Sequence, residues 1–114
     1  MNPRDRVRLQ HLADALNSAI RFVQGRGRGD LDTDEMLLFA LVRAVEIAGE
    51  AASQVTAETR AQLPELPWNS MVGMRNRLVH AYFDINRDIL WVTVTEAAAP
   101  LVERLKNILA GEGP

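Results

Sequence analysis

The segment from residue 35 to residue 55 constrains the fold most, because it would be apolar on almost every side of a helix. Its polar side chains recur at spacings of three and four and form one narrow stripe, Arg43, Glu46, Glu50 and Gln54. We therefore expect this helix to be the most buried element of the fold. Asp32 is the expected N-cap, with Leu31 and Met36 as the flanking hydrophobic pair.

A second helix is predicted before this segment. Asn2 followed by Pro3 is typical of a helix start, and apolar residues recur at helical spacing up to Val23. Gly25 is the expected end. The Gly-Arg-Gly-Arg-Gly sequence that follows predicts a flexible loop over residues 25–30. Its arginines could contact a polyanion, but two arginines supply little electrostatic attraction, so a solvated connector is the favoured interpretation.

The second half of the chain is also predicted to be helical. Thr56 is a candidate cap for a short helix, and Pro67 is expected to open a third major helix that runs on through Tyr82. Residues 84–86 predict a turn, in which Asn86 is a candidate cap for the next helix.

The segment 89–95 is ambiguous, because its β-branched and aromatic residues would suit a strand. No other segment offers itself as a partner strand, and an isolated strand leaves its backbone groups unpaired, so we predict a helix. Pro100 is expected to end or kink it, and a helical stripe continues to Gly111, before a C-terminal tail at 111–114. The whole chain, residues 1–114, is thus expected to be one all-α domain, an antiparallel bundle of four to five helices.

Composition narrows the classes of function. The chain has no cysteine, which excludes disulfides, zinc–thiolate sites and cysteine nucleophiles. Charges begin at Arg4 and no apolar stretch is long enough for a membrane span, so we expect a cytoplasmic protein without a signal peptide or membrane contact. The formal net charge is −2, so any contact with nucleic acid must come from a local cluster of cations.

The strongest candidate for chemistry is the group Arg75, Asn76, His80 and Tyr82. Asn76 and His80 are four residues apart and would share one face of a helix. Arg75 and His80 are five apart, so their directions would differ by roughly 140°. Either the helix ends or bends near His80, or a second copy of the chain supplies the missing group.

These residue types suit RNA cleavage without a metal ion. A neutral imidazole can take a proton from a ribose 2′-hydroxyl, and a guanidinium can bind the phosphate and stabilise the charge that develops on it. Arginine and histidine at such spacing also occur by chance, so the chemistry alone leaves open a capping histidine beside solvated arginines.

The chain resembles the HepT family of HEPN-domain toxins, which are encoded beside MntA-type minimal nucleotidyltransferases. The resemblance runs from Asp5 to Leu109. It rests on Glu-Ile-Ala-Gly-Glu-Ala-Ala at residues 46–52, Leu-Pro-Trp at 66–68, and Met-Val-Gly-Met-Arg-Asn-Arg-Leu-Val-His-Ala-Tyr at 71–82. An arginine, four residues, a histidine, one residue and a tyrosine form the signature of the family, and Trp91 also fits.

The resemblance implies a HEPN helical bundle that forms a homodimer with one composite RNase cleft. Arg75 and His80 would be catalytic, with Asn76 in support, and no metal or cofactor would be needed. The chain would be the toxin of a type VII-like toxin–antitoxin system, an endoribonuclease with tRNA as the candidate target. The partner nucleotidyltransferase would silence it by transferring AMP to Tyr82.

The same resemblance suggests supporting residues. We expect Glu50 to orient Arg75 or to line the cleft, although a carboxylate in such a polar stripe is more often structural. Arg77 is a further supporting candidate. Asp84 could pair with His80, but a turn-forming aspartate is slightly favoured.

Other conspicuous residues are assigned to structure. Glu46 and Glu50 could bind a metal, but they lack a third ligand at suitable spacing. His11 is expected at the surface, and Trp68 and Trp91 in the core or a dimer interface. The alternative function is a non-catalytic helical partner that helps a nucleotidyltransferase hold its nucleotide or substrate.

Overall fold

The computed structural model describes residues 1–81 and 84–111, with backbone only for 79–81. The α-helices are Pro3–Phe22 (α1), Asp30–Thr33 (α2), Glu35–Ser53 (α3), Ala57–Gln62 (α4), Trp68–Val72 (α5), Met74–Leu78 (α6), Arg87–Val92 (α7) and Ala98–Gly111 (α8), and a π-helical turn at Thr93–Ala97 joins α7 to α8. Strands Val79–Ala81 (β1) and Asp84–Ile85 (β2) pair antiparallel. The predicted all-α class and the helical assignment of residues 89–95 are confirmed.

Side-chain caps explain where four of the eight described α-helices begin. The side chains of Asn2, Thr56 and Asn86 each accept a backbone N–H of the first turn, as predicted. The predicted cap at Asp32 is wrong, because residues 30–33 form α2. Asp34 caps α3 instead, since its extended backbone lets its side chain accept the Leu37 N–H at 3.1 Å.

The predicted hydrophobic pair at the start of α3 is also wrong. Met36 is 84% exposed, whereas Leu31 is buried in the core. Because α3 begins two residues later than expected, Met36 lies at the second position of the helix and faces outward.

The long helices form an antiparallel bundle. Asp5, at the start of α1, accepts hydrogen bonds from Thr56, which follows the end of α3. Val23, beyond the end of α1, belongs to the same core cluster as Leu37 at the start of α3. The α8 helix also runs antiparallel to α1, because Arg6 Nη1 donates to the carbonyl oxygen of Leu109 at 3.0 Å.

The predicted motif helix is interrupted and short. Gly73 separates α5 from α6, and α6 ends at Leu78 rather than continuing through Tyr82. The carbonyl oxygen of Leu78, which would accept the next turn of helix, accepts the N–H of Asn86 at 2.8 Å instead. The backbone at His80 is therefore extended, in β1, and the expectation that Asn76 and His80 share a helix face is wrong.

The C-terminal helix continues past Pro100. This proline lies in the first turn of α8, and the irregularity falls one turn earlier, where the Ala98 N–H bonds to the carbonyl oxygen of Thr93, five residues back. Within residues 1–81 and 84–111, no helix is long and apolar enough to cross a bilayer.

Candidate active site

Arg75 and Asn76 lie on α6 beside an open groove of about 310 Å³ between this helix and α3. We call it the α3 groove; its lining includes Glu46, Gly49 and Glu50 of α3, together with Arg75 and Asn76. The helices approach each other closely at Gly49. A Cβ there would lie 3.4 Å from the carbonyl oxygen of Met71 and 4.0 Å from the backbone nitrogen of Arg75. A methyl group at residue 49 would therefore be in ordinary van der Waals contact, and a larger side chain would meet the backbone of α5 and α6.

Among the residues that the structure describes, the guanidinium of Arg75 is held by one ion pair. Its Nε lies 3.4 Å from Oε2 of Glu46, and the Arg75 side chain is 52% exposed. Such a solvent-exposed pair contributes little free energy, so the guanidinium can exchange this carboxylate for a phosphate at small cost. Glu50 lines the same groove, but Glu46 is the residue that contacts Arg75, and the supporting role of Glu50 stays a prediction.

The sequence signal for the Glu46 contact was the polar stripe of α3. This stripe places Glu46 and Glu50 one turn apart, but it does not tell which carboxylate faces α6. The register between the two helices decides that.

The second half of the motif is described only in part. His80 follows the end of α6 by two residues, in β1, so Arg75 and His80 do not lie on one helix. Tyr82 lies outside the described residues. Asp84 is exposed on β2, opposite Ala81 in the ribbon. The roles of His80, Tyr82 and Asp84 stay predictions.

Arg77 lies on the other side of α6. It follows Arg75 by two residues, and its Nη2 donates to the carbonyl oxygen of Ser70 at 3.0 Å. It lines a second groove, between α5–α6 and the π-helical turn with α8, where Arg104 also lies. The structure therefore does not bring Arg77 and Arg75 to one groove.

The arginines of the glycine-rich loop are neutralised by carboxylates. Arg26 pairs with Asp34 at 2.7 Å and with Asp30 at 3.3 Å, and these hydrogen bonds raise its pKa above the ordinary value. Arg28 pairs with Asp88 at 2.7 Å and with Asp32 at 3.1 Å. These contacts leave little positive charge in the loop for RNA.

The remaining candidates are placed largely as predicted. His11 is exposed on α1. Trp68 and Trp91 are half-buried and pack against the two core clusters, and the indole N–H of Trp68 donates to the carbonyl oxygen of Leu63 at 2.9 Å. Among the side chains that the structure describes, no group of three or more His, Cys, Asp or Glu could hold a metal ion.

Comparison with known proteins decides the family. Residues 12–108 match the sequence profile described as "Ribonuclease HepT-like". The chain belongs to the HepT-like ribonuclease family. Both the predicted resemblance and the predicted enzyme class, a ribonuclease, are thereby confirmed.

Individual relatives cover most of this HepT-like chain. It is 35% identical to "Putative RNase TTE0752" of Caldanaerobacter subterraneus subsp. tengcongensis. That alignment spans 104 residues, which are 91% of this chain and 93% of the relative. It is 36% identical over 100 residues to "Probable ribonuclease HepT" of Thermococcus cleftensis, and the alignment covers 88% of this chain and 91% of the relative. It is 35% identical over 97 residues to "Putative RNase MJ1380" of Methanocaldococcus jannaschii, which covers 84% and 89%. No solved structure matches significantly.

Proposed function

We propose that the chain is the toxin of a toxin–antitoxin pair and cleaves RNA in the cytoplasm without a metal ion, with tRNA as the candidate target. The observation that carries this proposal is Arg75, a half-exposed guanidinium in an open groove, five residues before a histidine, in a HepT-like ribonuclease. Asn76, which lines the same groove, would orient the substrate.

The proposed reaction needs only a base, a cation and a proton donor. The imidazole of His80 takes the proton of the ribose 2′-hydroxyl, and the 2′-oxygen attacks the adjacent phosphorus. Arg75 stabilises the additional negative charge on the phosphate oxygens. The bond from phosphorus to the 5′-oxygen breaks, and an imidazolium protonates the leaving oxygen. The products are a 2′,3′-cyclic phosphate and a free 5′-hydroxyl.

The test is cleavage of total RNA in EDTA by the purified protein, with His80→Ala and Arg75→Ala beside it and Lys106→Gln as a surface control. Intact mass first establishes that the preparation carries no nucleotide. We expect cleavage by the wild type and by the control, and none by the two site variants. Failure of the wild type, or equal cleavage by all four proteins, would refute the proposal and favour a non-catalytic partner of a nucleotidyltransferase.

We further propose that the site is completed by a homodimer. An apolar groove of about 460 Å³ lies between α1 and α3, with Phe22 and Ile47 in its lining, and Phe39 nearby on α3 is 56% exposed. Exposed apolar surface of this kind is typical of interaction sites. A dimer across this face would bring two copies of α3, and with them two Arg75 grooves, close together.

Mixing two inactive variants tests the composite cleft. If each site uses Arg75 of one protomer and His80 of the other, a heterodimer of Arg75→Ala and His80→Ala retains one intact site. We expect the mixture to recover part of the wild-type rate after subunit exchange, while each variant alone stays inactive. A mixture as inactive as its components would exclude this arrangement.

The proposed regulation is AMP transfer to Tyr82 by a partner nucleotidyltransferase. The tyrosine oxygen would attack the α-phosphorus of ATP and release pyrophosphate. The added phosphodiester, two residues from His80, would obstruct the cleft and repel RNA phosphates. Tyr82 is the sole tyrosine of the sequence, so the test is direct. Intact mass should increase by one AMP with the partner and ATP, and an adduct that persists in Tyr82→Phe would refute the assignment.

A further inference from the structure

The second groove, on the side of α6 away from Arg75, has a volume of about 410 Å³. We call it the α8 groove. It lies between α5–α6 and the π-helical turn with α8. Its two arginines are Arg77 and Arg104, and the hydroxyl-bearing residues Ser70 and Thr93 also line it. Arginine, serine and threonine are among the residues that contact nucleic-acid phosphates most often.

Both arginines are held in place without losing their charge. Arg77 Nη2 donates to the carbonyl oxygen of Ser70 at 3.0 Å, and Arg104 Nη1 donates to the carbonyl oxygen of Glu65 at 3.3 Å. A backbone carbonyl orients a guanidinium but does not cancel its charge. Each guanidinium has five N–H donors, so most of them stay available to a ligand. Both residues are exposed.

The two grooves beside α6 differ in charge. Of the side chains described in the α3 groove, Glu46 and Glu50 are acidic and Arg75 is basic, so its formal charge is −1. Of those described in the α8 groove, Arg77 and Arg104 are basic and none is acidic, which gives +2. A polyanion is therefore attracted to the side of α6 that carries Arg77.

We propose that the α8 groove binds the phosphate backbone of the RNA substrate at a position away from the cleaved bond. This inference rests on the proposed function. A helix is about 10 Å wide, so a single strand that crosses α6 can place one phosphate at Arg75 and another at Arg77 and Arg104. The groove would supply the attraction that the acidic surroundings of Arg75 cannot.

The first test measures binding of a fluorescein-labelled single-stranded RNA of mixed sequence by anisotropy, in the non-cleaving His80→Ala background. The variant Arg77→Gln/Arg104→Gln is compared with Arg4→Gln/Lys106→Gln, which removes the same charge from exposed positions outside both grooves. We expect roughly a tenfold loss of affinity for the first variant and little change for the second. The dependence of log K on log salt should weaken by about 1.4, or about 0.7 per lost contact.

The second test separates binding from chemistry in the background with His80 intact. For a dinucleotide substrate, which is too short to reach the α8 groove, the groove variant should cleave as fast as the wild type. For the longer RNA its KM should rise while kcat stays unchanged. Equal thermal midpoints for both double variants verify the fold.

Four outcomes would overturn the inference. These are equal loss of RNA binding in both double variants, loss of dinucleotide cleavage in the groove variant, a lower thermal midpoint that accounts for the loss, and unchanged RNA binding in the groove variant. If the wild type cleaves no RNA, the proposed function fails, yet the binding comparison in the His80→Ala background still decides whether the groove binds RNA.

Discussion

Replacing Asp5 by alanine should destabilise the fold strongly, because this carboxylate joins α1 to α4. Asp5 is 1% exposed. It accepts the N–H of Thr56 at 3.1 Å and its hydroxyl at 2.6 Å, the hydroxyl of Thr59, and the side-chain amide of Asn2 at 3.0 Å. Asp5 therefore connects the N-terminal turns of two helices that lie far apart in sequence.

The free energy of unfolding lost in Asp5→Ala depends on which former hydrogen-bond partners of Asp5 water can reach after the substitution. Thr56 is exposed, so water can replace its lost contacts, whereas Thr59 is 2% exposed and its hydroxyl would keep only the long 3.5 Å contact with the hydroxyl of Thr56. A buried group without a partner costs about 1–3 kcal/mol, and hydrogen bonds to a charge contribute about 1.5–3 kcal/mol each. Since these terms are not additive, we expect Asp5→Ala to lose about 2–4 kcal/mol, or about 8–16 °C at roughly 4 °C per kcal/mol.

The assay is urea denaturation followed by circular dichroism at neutral pH, at two protein concentrations, so that any contribution from dimer dissociation is visible. Thr59→Val preserves side-chain shape and removes one hydroxyl, and together with Asp5→Ala it completes a double-mutant cycle. We expect a coupling energy of about 1 kcal/mol or more. A loss below about 1 kcal/mol for Asp5→Ala, or strictly additive effects, would refute the reasoning.

Acid should remove the contribution of the Asp5 carboxylate to the stability of the fold. Burial raises the pKa of Asp5, but the hydrogen bonds from Thr56, Thr59 and Asn2 together outweigh it and hold the pKa below the ordinary value. The unfolded chain, with an aspartate pKa near 3.9, then binds more protons in acid than the folded one. The stability difference between wild type and Asp5→Ala should be full above about pH 5 and shrink as the pH falls toward the folded pKa. A difference that grows in acid would show that the sign is wrong.

Three further variants test other contacts. Arg60→Ala should lower the free energy of unfolding in urea by about 2 kcal/mol. Arg60 donates to three carbonyl oxygens at and just beyond the end of α3, and its guanidinium carbon lies 5.5 Å from the ring centroid of Trp68. A decrease of less than about 0.5 kcal/mol would contradict this. Gly49→Ala should keep a free energy of unfolding within about 1 kcal/mol of the wild type, since its methyl group would make ordinary van der Waals contacts, whereas Gly49→Leu should lower it by more than about 2 kcal/mol; equal stabilities would exclude a close approach there. Glu46→Gln should change stability by less than about 1 kcal/mol, because the pair with Arg75 is exposed, and should increase RNA affinity in the anisotropy assay; weaker binding would indicate that the carboxylate helps to position Arg75.

Local signals predicted the helix starts well. Asn2, Thr56 and Asn86 are short polar residues whose capping contacts lie within three residues, so the sequence around each contains what is needed. The same reasoning misplaced the start of α3. Asp32 and Asp34 are both capable of capping, and the short helix α2 decides between them.

Contacts between residues distant in sequence determine where α6 ends and which carboxylate contacts Arg75, and local sequence patterns do not predict either. The motif helix was expected to continue through Tyr82, and residues 74–82 contain no proline or glycine that would stop it. The hydrogen bond from Asn86 to Leu78 competes for the carbonyl group that would extend the helix. Likewise, the choice of Glu46 over Glu50 as the contact of Arg75 depends on how α3 packs against α6.

The interruption at Gly73 has a consequence for how damage to this protein would first become visible. The α5 and α6 helices have five residues each, far below the length at which an isolated helix is stable in water. Their helicity is maintained by the burial of Met71, Met74 and Leu78 in the core. Weakening that packing would open this segment locally, and amide hydrogen exchange there would rise, before the long helices unfold. The proposed site at Arg75 would thus lose its geometry at a lower temperature than the bulk helical signal.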